Sequence, residues 1–369
     1  MVSLRALDMP LGPGLVDAII RCRDAGIAFC VLDQRLSPVR ARQELDLLGA
    51  TEVEDPTGQR VVLGGAGVDI GTGLVMLTSG SSGTPKAAQL SWEALTASAT
   101  LTNSVLSRSQ SAVWYPCLPP NHIGGLAVLL RHILAGAGLV WGLPDDVARG
   151  PSYGATHVAV VRTQLARYDL SGYDTILLGG ARPPQDMPNT VVTTWGMTET
   201  GSGIVYDGRP LPGVEVAEVN GELCVRTPTL FSRYRDRDRP RVTGPDGASD
   251  WFPTGDAGVV VDGVVRVFGR FGFVINSGGE KIWPDDLEEV LATVPGVQEV
   301  AVTGAPDPEW GERVVALIVD DGSVSDDQLR DVAAEAIGPW AKPKEIRRVV
   351  ALPRTGNGKL RRDQLAHLH

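Results

Sequence analysis

The 369-residue sequence has only four cysteines, no long hydrophobic run and no excess of positive charge, and each lack removes a class of protein. Cys22, Cys30, Cys117 and Cys224 are widely scattered, and none forms a Cys-x-x-Cys pair. Neither a zinc site nor a disulfide framework is expected, and a reducing cytoplasm suits such usage. No run of about 18 apolar residues occurs, so no membrane span is expected. Met1-Val2-Ser3-Leu4-Arg5 opens no long apolar segment with a cleavage site, so no signal peptide is expected. The net charge of −10 argues against nucleic acid as a partner. It also requires any polyphosphate site to gather its positive charge locally. No internal repeat or low-complexity tract is present, and the length leaves room for two or three domains.

Against that plain background stands Thr78-Ser79-Gly80-Ser81-Ser82-Gly83-Thr84-Pro85-Lys86, directly after the apolar run Leu74-Val75-Met76-Leu77. A strand that enters a Gly/Ser/Thr loop can aim backbone N–H groups and hydroxyls at a phosphate chain. Glycine permits close approach of the backbone. Such runs are also used as flexible linkers, but a preceding strand and a terminal Pro-Lys are not linker chemistry. Pro85 before the lysine rules out a Walker A motif.

Helical and short apolar segments alternate from about residue 14 to 215, the α/β pattern. Residues 14–48 read as helix, strand, helix, with Asp33 at the strand's end. From 213 to 268 helices vanish and glycines punctuate short strands, as in a small β-subdomain. After Arg270 the pattern becomes strand, helix (285–293), strand (298–303), strand (313–319), helix (326–337), strand (347–351) and a terminal helix. About 100 residues in that order make a compact α+β domain.

The Thr78–Lys86 loop resembles the signature loop of the adenylate-forming superfamily of acyl-CoA synthetases, adenylation domains and luciferases. Four further segments resemble the family's motifs, in the family's order. They are Trp195-Gly196-Met197-Thr198-Glu199-Thr200; Thr254-Gly255-Asp256; Gly269-Arg270 with Ser277-Gly278-Gly279-Glu280-Lys281-Ile282; and Pro353-Arg354-Thr355-Gly356-Asn357-Gly358-Lys359. Pro120-Asn121-His122-Ile123-Gly124-Gly125-Leu126, Val161–Arg167 and Val205–Gly208 resemble segments of the family's o-succinylbenzoate-activating branch, which serves menaquinone biosynthesis. The shortage of residues relative to usual members is N-terminal.

The resemblance implies an N-terminal adenylation domain over 1–270 and a mobile C-terminal domain over 271–369. It implies a cytoplasmic acid–CoA ligase that uses ATP, Mg²⁺ and CoA on a small-molecule carboxylic acid. Thr78, Ser79, Ser81, Ser82, Thr84 and Lys86, with Gly80 and Gly83, would hold the β- and γ-phosphates. Glu199 would bind Mg²⁺, a cation that prefers hard oxygen ligands; by position alone it equally suits a helix N-terminus. Thr198 would donate to the α-phosphate. Trp195 would offer a face to adenine, although tryptophan at a strand end is more often core. Asp256, otherwise an ordinary turn aspartate, would accept from the ribose hydroxyls. Arg270 would reach ribose or phosphate. Gly180 and Ala181 would line the adenine and acyl pocket, or simply form a turn after a strand. His122 would stand where acyl pocket and thiol channel join, or act as a structural hydrogen-bonder. Gly278 and Gly279 would line the pantetheine tunnel. Lys359 would be the catalytic cation, its alternative being a solvated lysine beside Arg361 and Arg362.

One departure is plain. The family reads Gly-Arg-x-Asp-Asp at the domain boundary, and this chain reads Gly269-Arg270-Phe271-Gly272-Phe273. Gly272 therefore stands at the expected hinge. Two rival readings remain open: a ligase for another acid, or one that loads a carrier protein, and a non-catalytic nucleotide-binding protein. The sequence leaves the oligomeric state open, with a homodimer among the options.

Overall fold

Leu4–Leu7 and Ala28–Val31 are apolar at nearly every position and buried throughout, as parallel strands covered on both faces must be. A computed structural model describes residues 1–78, 85–106, 112–180, 183–184, 186–354 and 360–368. Among these residues four sheets form. The first is seven-stranded and runs Arg233–Tyr234, Lys86–Ser91, Thr72–Thr78, Ala28–Val31, Leu4–Leu7, Glu52–Glu54, Arg60–Val62. The second, also seven-stranded, runs Arg209–Pro210, Ser202–Tyr206, Val191–Met197, Thr175–Gly179, His157–Val161, Val113–Tyr115, Gly138–Leu139. The first has a parallel centre and antiparallel edges, and the second is parallel up to its Gly138–Leu139 edge and antiparallel at the Arg209–Pro210 edge. The third is the expected β-subdomain: four antiparallel strands, Glu215–Val219, Glu222–Arg226, Phe252–Val261 and Val264–Arg270.

Local chemistry sets the helix ends. Pro38–Leu48 begins with Ser37 accepting from Arg40 N at 3.4 Å, has proline in its first turn and stops at Gly49 with φ +67°. Asp326–Ala336 begins with a reciprocal Ser325–Gln328 capping box. Ile123–Ala135 follows the Pro119-Pro120 segment. A Cβ on its Gly125 would lie 2.3 Å from the Pro119 carbonyl oxygen, so only glycine fits there.

The C-terminal sheet is formed by Glu280–Ile282, Ile275–Ser277, Gly311–Asp320 and Val297–Asp307, with Glu345–Arg348 parallel to Gly311–Asp320. Helices Pro284–Leu291 and Asp326–Ala336 bury Leu287, Leu291, Leu329 and Ala333 on one face of it. Leu352 and Leu365 cover the other face. Both clusters are built from residues at or after Ile275.

The element order agrees with the sequence reading in outline, with corrections; Lys86–Ser91 and Ser202–Tyr206 are strands it did not assign. The chain opens with the strand Leu4–Leu7, and Glu52–Glu54 and Arg60–Val62 are further strands; all are too short for periodicity to reveal. The first C-terminal "strand" is a hairpin of two three-residue strands turning at Gly278-Gly279. The expected terminal helix is a 3₁₀ segment, Arg362–His367.

Gly272 lies in the short turn Phe271–Phe273. A Cβ added there would meet nothing within 4 Å, and its φ is not positive. Gly269 is the constrained glycine of this linker. Its φ is +149°, and a Cβ there would sit 2.7 Å from Asp285 Oδ2. Asp285 cannot readily yield, because Arg362 grips it. Gly269→Ala should therefore cost about 1–3 kcal/mol of stability in urea denaturation, whereas Gly272→Ala should stay within about 0.5 kcal/mol of the parent. Equal behaviour of the two variants would contradict this account of the linker.

Candidate active site

Three sheets converge on two buried carboxylates, Glu199 and Asp256. The second sheet contributes Trp195 near the end of Val191–Met197, then the turn Thr198–Thr200. Thr200 Oγ1 accepts from Met197 N at 2.9 Å and donates to Ser202 O at 2.7 Å, which folds the turn tightly. The third sheet contributes Asp256 and Arg270, direct cross-strand partners. The first contributes Lys86 and Tyr234 on adjacent antiparallel strands.

Asp256 is 8% exposed and accepts from the Trp195 indole Nε1 on Oδ2 at 2.8 Å. Its Oδ1 lies 3.1 Å from Arg270 Nε. The Thr254-Gly255-Asp256 turn is held in place: Thr254 Oγ1 donates to Leu223 O at 2.6 Å and accepts from Asp256 N at 3.1 Å, while Gly255 N donates to Glu222 at 2.7 Å. Trp195 is half-buried, so its ring is at once a core element, a donor to Asp256 and an accessible face.

Glu199 is 9% exposed. Its Oε1 accepts from the Tyr234 hydroxyl at 2.9 Å, and its backbone carbonyl accepts from Phe231 N at 2.8 Å. Among the described residues it makes no ion pair. Burial and the adjacent Glu199 charge push the Tyr234 phenol upward, so it stays a donor. Lys86 Nζ and the Arg237 guanidinium lie 5.6 and 5.3 Å from the Tyr234 ring centroid. They place positive charge beside the Glu199–Tyr234 pair.

The other candidates lie on separate elements. Thr78 faces Lys86 across the base of a hairpin, Thr78 being the last residue of Thr72–Thr78. Ser79, Gly80, Ser81, Ser82, Gly83, Thr84, Ala181 and Lys359 fall outside the described residues. Thr198 opens the turn that carries Glu199. Gly180 follows the strand Thr175–Gly179 with φ +85°. Gly278 and Gly279 have φ +62° and +89°, as a two-residue hairpin turn demands, and Trp310 packs where a Gly278 side chain would be. His122 caps Ile123–Ala135 by its backbone position. A hydrogen bond from the Arg35 guanidinium, with a smaller contribution from nearby His122, holds the Asp33 carboxyl below the usual range.

Sequence reasoning missed Tyr234. It sits in the arginine-rich run 233–239, and nothing in that spacing ties it to Glu199, 35 positions earlier. Glu222, which accepts from Gly255 N in the Asp256 turn, was equally silent, whereas Thr254 was marked as part of the Thr254-Gly255-Asp256 motif. The four cysteines are buried and free, and burial pushes the thiols of Cys22 and Cys117 up to about 11 and about 12, so they carry no chemistry here.

A protein named probable 2-succinylbenzoate–CoA ligase, from Mycobacterium tuberculosis, is 36% identical to this chain over 397 aligned residues, covering 98% of this chain and 97% of that protein. The description AMP-binding enzyme matches residues 72–235, and AMP-binding enzyme C-terminal domain matches 286–359. The chain belongs to the AMP-binding enzyme family. Within that family, the o-succinylbenzoate CoA synthetase of Bacillus subtilis in complex with its acyl-adenylate intermediate superposes with a TM-score of 0.84 at 25% identity, over 98% of this chain and 88% of that one. The same synthetase in complex with ATP and magnesium ion gives 0.84 and 25%, over 99% and 89%. The AMP-binding fold, a large α/β portion with a β-subdomain and a small α+β portion, is thus shared along nearly the whole chain. Among the described residues no helix is long and apolar enough to cross a membrane.

The depressed Asp33 carboxyl has a pH consequence. A carboxyl lowered in the folded state adds stability that is present above its unfolded pKa and lost as pH falls through the folded value. Arg35→Met should therefore lower stability at pH 7, and the gap between the two proteins should close in acid. NMR titration of Asp33 should show its pKa rising towards the ordinary value in the variant; an unmoved pKa would contradict the assignment.

Proposed function

We propose that this protein is an AMP-forming ligase that activates o-succinylbenzoate with ATP and passes the acyl group to CoA. The observation that carries this reading is the end-to-end relationship to the M. tuberculosis ligase at 36% identity. The convergence of Trp195, Glu199, Asp256 and Arg270 agrees with it.

The acid's carboxylate attacks the α-phosphate of ATP, and pyrophosphate leaves. Two anions must meet, so donors and cations have to offset their repulsion. Lys86, with the hydroxyls and amides of residues 78–84, holds the β- and γ-phosphates. Thr198 donates at the α-phosphate. Asp256 accepts from the ribose hydroxyls while Trp195 and Arg270 hold its carboxylate still, and Arg270 also reaches the ribose or phosphate. Trp195 and Gly180-Ala181 border the adenine.

The donor set around Glu199 suits Mg²⁺. It offers one hard, buried carboxylate that makes no ion pair among the described residues, and no cluster of three or more His, Cys, Asp or Glu forms among them. A cation that binds chiefly through phosphates needs no all-protein cage. When bound, Mg²⁺ supplies positive charge across the phosphate oxygens. Glu199 would hold it.

Lys359 supplies the cation for adenylate formation. Residues 1–270 form the adenylating domain and 271–369 a domain that turns about the Phe271–Phe273 linker, with Gly272 free to change conformation. The CoA thiol then attacks the adenylate, AMP leaves, and Gly278-Gly279 and His122 border the thiol's path.

Lys359→Ala should reduce adenylate formation by a factor of about 10²–10³ while ATP still binds. With preformed o-succinylbenzoyl-adenylate, thioester formation should survive. Equal damage to both half-reactions, measured in single turnover, would count against a turning domain. Pyrophosphate release with a panel of acids tests the substrate. O-succinylbenzoate should be turned over, with little release for benzoate or medium-chain fatty acids, because a site that pairs a second carboxylate rejects analogues lacking it. Comparable rates with a fatty acid would overturn the substrate assignment.

A further inference from the structure

We infer that Tyr234 is a positioning residue that locks Glu199 through Oε1 and so reserves Oε2 for the cation that accompanies ATP. The inference rests on the proposed role of Glu199 and adds a residue to it.

Four observations lead there. First, Glu199 is buried, has no ion pair among the described residues, and has one side-chain hydrogen bond among them, from the Tyr234 hydroxyl at 2.9 Å. Remove that bond and the carboxylate loses its only described side-chain restraint. Second, Tyr234 itself cannot drift. It is 5% exposed, its ring packs against Phe231 with centroids 4.7 Å apart, and Phe231 in turn packs against Phe252 at 5.2 Å. Third, the same short segment holds Glu199 twice, because Phe231 N also donates to the Glu199 carbonyl at 2.8 Å. Fourth, Tyr234 pairs with Ala88 on the strand that begins at Lys86, and Lys86 Nζ lies 5.6 Å from the Tyr234 ring centroid.

Tyr234 therefore ties the carboxylate to the exit of the phosphate loop. These groups lie on different sheets, and their spacing must be right before a cation can bridge Glu199 and a phosphate. A phenol suits this role because it is a single donor on a rigid ring with few rotamers, and it carries no charge to compete with the cation. A lysine or arginine in its place would neutralise Glu199 and weaken cation binding.

The test measures equilibrium binding of the non-reactive analogue α,β-methylene-ATP by calorimetry, once with saturating Mg²⁺ and once in excess EDTA. The proteins are the parent, Tyr234→Phe, Glu199→Gln and the double variant. Loss of a hydrogen bond that orients a metal-ligating carboxylate typically weakens metal affinity about 10–100-fold. Tyr234→Phe should weaken binding about tenfold or more with Mg²⁺ and leave binding in EDTA unchanged. Glu199→Gln should abolish the gain from Mg²⁺, and the double variant should be no worse than Glu199→Gln alone. Ile19→Val, in the same core cluster but on the separate helix Pro13–Asp24, serves as the control for general loosening and should weaken binding, if at all, alike in both conditions. If Tyr234→Phe behaves as that control does, or matches the parent while Glu199→Gln loses the Mg²⁺ gain, the positioning role is overturned and the Glu199 reading stands. If Glu199→Gln keeps the full Mg²⁺ gain, the Glu199 reading itself falls.

Discussion

The bond from the Trp195 indole to Asp256 joins two sheets that share no strand, and the candidate site depends on it. A buried carboxylate with no donor is costly to keep. Asp256 is buried, so the indole of one sheet and the guanidinium of Arg270 must come to it. That need sets the distance between the β-subdomain and the second sheet. The pairing of Glu199 with Tyr234 does the same between the second sheet and the first. Satisfying two buried acids thus brings three sheets together, and the groups that do so are those proposed to meet the nucleotide.

The two acids are satisfied differently, and the difference has functional content. Asp256 is paired with a cation, Arg270, and its charge is offset within the protein. Glu199 receives one neutral hydrogen bond and no cation among the described residues. A protein that needs a fixed acceptor for hydroxyls benefits from the first arrangement. One that must recruit a cation together with its substrate benefits from the second. Phosphate-borne Mg²⁺ fits that logic better than a permanent metal would, because the cation can arrive and leave with the nucleotide.

The linker makes a comparable point about glycine. The family's usual carboxylates are missing at Gly272 and Phe273, which marks Gly272 as the position of interest by motif. The structure shows that Gly272 has room to spare, whereas Gly269 is required by its backbone and by Asp285. The Phe273 ring lies 5.8 Å from the Arg362 guanidinium, which also binds Glu288 at 2.7 Å. An aromatic stands here where the family has an acid, within cation–π range of Arg362.

Much of this protein could be read from its sequence. The alternation of helices and apolar strands, the loss of helices after residue 213 and the reset after Arg270 follow from local propensity and burial, which act over a few neighbouring residues. The ordered motifs marked Trp195, Glu199, Asp256 and Arg270 as one site only through their resemblance to the adenylate-forming family, since alone Trp195, Glu199 and Asp256 read as ordinary core, helix-terminus and turn residues. The very short strands escaped, since three or four residues hold too few periods to signal. Tyr234 escaped for a deeper reason. Its partner Glu199 is on another sheet, and a hydrogen bond between sheets depends on how the sheets stack, which no local pattern encodes. The tertiary structure alone decided which oxygen of Glu199 is held, that Trp195 serves Asp256 as well as the core, and which linker glycine is indispensable. In each case the deciding quantity was a distance between residues far apart in the chain.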